Sequence, residues 1–119
     1  MDSPIVHFQV ASSNPEKMAE WLREVFEWEV GDGAQPGAVM NIATGWSDDI
    51  QVSGTLLPLH EGAPGYVAVY VRVRDLWATV QRAAERGAEV RVPRMSIPNG
   101  PDIAVIAHPE GQVFGIVQL

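Results

Sequence analysis

The stretch IVHFQVASSNPEKMAEWLREVFEWEV, residues 5–30, decides the fold. Its opening alternates and is rich in β-branched and aromatic residues, so 4–11 reads as a strand. A break follows at SSNPEK. Asn14 is a good helix N-cap, and Pro15 is pre-organised for the first helical position. Met18, Trp21, Leu22, Val25 and Phe26 then fall on one stripe of an amphipathic helix. That stripe, Trp21 included, is expected in the core. Glu16, Lys17, Glu20, Arg23, Glu24 and Glu27 make the solvated face. WEV (28–30) opens a second strand.

Further along, AVMNIAT (38–44) and DIQVSGTLL (49–57) read as two more strands. PLHEGAPG (58–65) is a connector rich in Pro and Gly. Then the order begins again. YVAVYVRV (66–73) is a strand and Asp75 a cap. Leu76, Val80, Ala83 and Ala84 form a helical stripe, with Gly87 placed to end it. AEVRV (88–92) is a strand and PRMSIPNGPD a loop. IAVIAH and QVFGIVQL are the last two strands. The caps Asn14 and Asp75 lie 61 residues apart, an internal repeat of βαβββ. Each half alone is too small to bury its sheet well. The expectation is a single α+β domain over 1–119, with module 1 at 4–57, the connector at 58–65 and module 2 at 66–119.

A chain of 119 residues, 46% hydrophobic, can bury one real core. It has no cysteine, which excludes disulfides, thiol nucleophiles and Cys-based metal centres. The formal net charge of −7 argues against nucleic acid as a partner. Apolar runs fall short of the roughly 18–20 residues that cross a bilayer. MDSPIVHF has neither the basic nor the apolar region of a signal peptide. The expected location is cytoplasmic, away from membranes.

IVHFQVASSNPEKMAEWLREVFEWEV, YVAVYVRVRDLWATVQRAAERGAEV and HPEGQVFGI together resemble the vicinal oxygen chelate superfamily of glyoxalases, bleomycin-resistance proteins and extradiol dioxygenases. HPEGQ is similar to that family's DP(E/D)GN turn, with His108 in place of Asp. The resemblance implies paired βαβββ modules forming a curled mixed sheet around a cavity, within a homodimer. It also implies metal-ligand points at His7, Ala68 and Gly115, with a further one near Ser53. Alanine and glycine offer no donor, and a metal site needs several converging nitrogen or oxygen ligands. No metal and no cofactor are therefore expected. His60, in the connector, and His108, in the turn, do not match the family's points.

Strand parity selects the lining of such a cavity. Val6, Phe8 and Val10 should face the first helix, and Val67, Val69, Val71 and Val73 the second. The opposite set is His7, Gln9, Asn41, Gln51, Ser53, Ala68, Tyr70, Arg72, Val113 and Gly115. Phe114 and Ile116 should anchor the last strand from behind. Trp46 is a candidate for stacking on a ligand, and Met95 is an adaptable apolar filler at the rim. Small residues at 68 and 115 read as room for a bulky ligand.

The resemblance implies a metal-independent binding protein that sequesters an aromatic or cationic natural product, as in antibiotic self-resistance. The alternative is a metal-free isomerase, lyase or cyclase, with His7 as general base and Tyr70 as donor. In that case Asn41 or Gln51 would face a developing oxyanion. A metal-dependent glyoxalase-like or dioxygenase-like enzyme is disfavoured by Ala68 and Gly115.

Overall fold

A computed structural model of the chain describes residues 3–31, 39–45, 52–96 and 101–118. Among these residues the order is β1 (Ile5–Ser12), α1 (Pro15–Phe26), β2 (Glu29–Val30), β3 (Met40–Ala43) and β4 (Gly54–Pro58). The pattern then repeats as β5 (Tyr66–Arg72), α2 (Leu76–Glu85), β6 (Glu89–Ser96), β7 (Asp102–Ala107) and β8 (Val113–Gln118). The fold class is mixed α+β, as the sequence predicts. The chain clusters into two compact units, one running His7–Val67 and one joining Ala68 onward to the residues ahead of His7. Pro4 belongs with the second because its carbonyl accepts from the Arg72 N–H at 2.9 Å.

In the first unit the strands lie in the order β2, β3, β4, β1. β1 runs parallel to β4, and the other neighbours are antiparallel. α1 starts where the sequence places it. Asn14 accepts from the Lys17 N–H at 3.3 Å, and Pro15 follows directly. The helix ends at Glu27, which takes a left-handed conformation with φ 59°. Ala19 and Leu22 bury against Val10, Val30, Met40, Ile42 and Leu56. The predicted stripe is wider than this contact. Trp21, Val25 and Phe26 are each about half exposed. An aromatic series instead runs from the surface inward. Trp21 meets Phe26 edge-on at 5.5 Å, Phe26 meets Trp28 at 4.9 Å, and Trp28 meets Phe8 at 5.5 Å.

In the second unit the order is β5, β8, β7, β6, with β5 parallel to β8 and the other pairs antiparallel. Asp75 caps α2 by accepting from the Ala78 N–H at 3.0 Å. Gln118 of the last strand adds a second acceptor, taking the Leu76 N–H at 2.6 Å. At the other end the N–H groups of Gly87 and Ala88 reach back to Ala84 and Ala83. That pattern requires the positive φ of 95° that Gly87 supplies. Leu76 and Val80 pack on Ala104 and Ile116. Met95 lies inside β6, where the sequence reading has a loop; the ladder to β7 carries register shifts on the way to it.

Candidate functional site

The first unit has a polar face opposite α1. Phe8, Val10, Gly54 and Leu56 share the helix side, and alternation turns His7, Gln9 and Thr55 the other way. The register sets Gln9 beside Thr55 on one flank and Asn41 beside it on the other. His7 Nε2 lies 3.2 Å from Thr55 Oγ1. Gln9 Nε2 donates to the same oxygen at 3.4 Å. These three side chains are half-buried and Asn41 is exposed. Burial holds the His7 imidazole below the usual histidine range, so it is neutral at pH 7. Ser53 is exposed, and its carbonyl accepts from the Phe8 N–H at 3.4 Å.

The second unit differs on the face away from α2. Tyr70 is buried with Ile103 and Val117, and Ala68 is buried nearby on the same strand. Tyr70 pairs with Gly115 across the parallel ladder. A Cβ at Gly115 would come within 3.0 Å of three Tyr70 ring carbons. The space that the sequence reading left open at Gly115 is therefore filled by the Tyr70 ring. Arg72 is exposed and Val113 half-buried. Phe114 is more than a third exposed, so Ile116 carries the anchoring of β8 against the helix. Met95 is about half exposed.

Trp46 and Gln51, both expected to line the site, lie outside the described residues. Thr55 was missed by the sequence reading, although the alternation that selects Ser53 selects Thr55 as well. Two surface clefts lie elsewhere. One sits beside the start of α2 at Ser3, Arg74, Asp75, Ala78 and Arg82; the other lies along α1 at Ser12, Asn14, Lys17, Met18 and Trp21.

Among the described residues, Ala68 and Gly115 offer no side-chain donor to a metal. Among the described residues no group of three or more His, Asp or Glu side chains converges. His60 is exposed in the connector. His108 serves its turn: its Nδ1 accepts from the Glu110 N–H at 3.1 Å, as an aspartate at that position would. No described helix is long and apolar enough to cross a membrane.

Comparison with known proteins places these observations. Residues 4–116 match the model of the "Glyoxalase/Bleomycin resistance protein/Dioxygenase superfamily". CFP32 of Mycobacterium bovis, whose name assigns it provisionally to the glyoxylases, is 33% identical over 70 residues. That match covers 59% of this chain and 27% of CFP32, so the chain spans about a quarter of that relative's length. Among solved structures, protein BH1468 of Bacillus halodurans superposes with a TM-score of 0.64 at 13% identity, covering 100% of this chain and 96% of that one. Streptomyces coelicolor methylmalonyl-CoA epimerase, in complex with 2-nitronate-propionyl-CoA, superposes with a TM-score of 0.62 at 17% identity, covering 99% and 95%. At these identities the likeness is one of fold.

Proposed function

This chain belongs to the Glyoxalase/Bleomycin resistance protein/Dioxygenase superfamily, and from that premise we propose that it binds a small organic molecule without a metal, at the His7–Gln9–Thr55 face. The observation that carries this reading is the chemistry at two of the family's ligand points. Ala68 and Gly115 have no donor, and the Tyr70 ring lies where a carboxylate replacing Gly115 would have to begin. What the first unit offers instead is a neutral imidazole, an amide and a hydroxyl, groups that orient an organic ligand by hydrogen bonds.

The ligand class that suits this reading is an aromatic or cationic natural product, captured stoichiometrically as resistance proteins do. The net charge of −7 favours a cation. A homodimer would cover the exposed Trp21, Val25 and Phe26. The test is a thermal-shift panel of natural-product antibiotics run in excess chelator. A ligand at 100 times its Kd adds about 2.7 kcal/mol of stability. Binding is expected to survive chelation and to weaken in His7→Ala. A panel without any shift, or shifts that vanish with chelator, contradicts the proposal.

A second reading rests on the neutral state of His7, which is what a general base requires. It makes the chain a metal-free isomerase, lyase or cyclase. Turnover unchanged in His7→Ala would remove it.

A further inference from the structure

We infer that Thr55 is a positioning residue that locks His7 in the Nδ1–H tautomer, with Nε2 held as an acceptor by the Thr55 hydroxyl. The argument is an accounting of one oxygen. A threonine hydroxyl has one proton to give and two lone pairs to receive. Gln9 Nε2 can only donate, and it donates to Thr55 Oγ1 at 3.4 Å. His7 Nε2 is the other side-chain partner of that oxygen, at 3.2 Å. If His7 carried its proton on Nε2, Oγ1 would accept twice, and its own proton would need a third group. Among the described residues, Thr55 has no such side-chain partner. If His7 carries its proton on Nδ1, the chain closes: Gln9 donates to Thr55, and Thr55 donates to His7 Nε2. Each of the three groups is then used.

The half-buried position of all three adds to the case, since a polar group away from water is costly to leave unpaired. The strands hold the geometry. Gln9 and Thr55 are register partners in the parallel ladder, and His7 is two residues before Gln9 on the same face.

This tautomer goes beyond the proposed function and bears on its general-base alternative. An Nδ1–H imidazole has its Nε2 lone pair already engaged. It cannot accept a substrate proton there until Thr55 turns away, which weighs against the general-base reading.

The experiment is a long-range proton–nitrogen correlation spectrum of the 15N-labelled protein without ligand, above the ordinary histidine titration range. The three histidines give separate patterns, and that of His7 is assigned by its loss in His7→Gln. The expected pattern has His7 Nδ1 at a protonated-nitrogen shift and Nε2 at a bare-nitrogen shift. Thr55→Val should invert it toward the Nε2–H form that free histidine prefers, and Thr55→Ser should keep it. An Nε2–H pattern in the unmodified protein overturns the inference, and so does a Thr55→Val pattern that stays Nδ1–H. Should Thr55→Val not fold, the unmodified protein and Thr55→Ser still decide: Nδ1–H in both supports the inference, and Nε2–H in either overturns it. No ligand is present, so failure of the binding proposal leaves this result readable.

Discussion

At Gly115 and Gly54 the strand backbone lies directly beside an aromatic ring, Tyr70 in one unit and Phe8 in the other. Both contacts join register partners of a parallel ladder, and both leave no room for a methyl group. Gly115→Ala is therefore expected to destabilise by about 1–3 kcal/mol through overpacking. The double variant with Tyr70→Ala should lose less than the sum of the two single losses, because the clash needs the ring. Urea unfolding of the four proteins checks this. His7 carries a second prediction. Its folded pKa is depressed by burial, below the ordinary 6.5. Below that value the unfolded chain takes up the proton first, so the unfolded state binds more protons and stability drops as the pH is lowered. This part of the loss begins as pH drops below the ordinary histidine range and is complete below the folded pKa. In His7→Gln it should be absent, so the two unfolding curves diverge in slope on the acid side. Alternation in the sequence was enough to put His7, Gln9 and Asn41 on one face. The filling of Gly115 by Tyr70 was not legible, because it depends on which residue of β8 stands beside which residue of β5. The sequence gives the parity of each strand and leaves that register open.

The two helices show which elements a sequence specifies well. Both caps were legible, and each is a real hydrogen bond: Asn14 to Lys17 and Asp75 to Ala78. Asn14→Ala and Asp75→Ala are each expected to cost about 0.5–2 kcal/mol, read by chemical denaturation. Gln118 as an added acceptor at α2 was not legible, since it lies 42 residues from Leu76. The stripe of α1 was correct in phase and wrong in width. Periodicity says which side of a helix is apolar; how much of that side is covered depends on the neighbouring strands. Here the neighbours take Ala19 and Leu22 and leave Trp21 half exposed. Leu22→Ala should cost about 2–5 kcal/mol as a core truncation. Trp21→Ala, made in the isolated chain, should cost much less, because half of that side chain already faces water. Comparable losses for the two would restore Trp21 to the core.

On the scale of the whole chain, the repeat was the legible feature. Caps 61 residues apart gave two βαβββ modules, and eight strands with two helices follow in that order among the described residues. The assignment of residues ahead of His7 to the second unit was not legible, because the Pro4–Arg72 pairing spans most of the chain. Family membership leaves the chemistry open, since the solved neighbours include epimerases at 17% identity, a likeness of fold. The chemistry rests on individual positions: His7 with Thr55, Ala68, and Gly115 beside Tyr70. The claim drawn from them is ligand binding without a metal. Elemental analysis of protein purified without a histidine tag tests it most directly. The account predicts zinc, iron, nickel and manganese all far below one equivalent per chain. One equivalent of any of them, retained through purification, would contradict it.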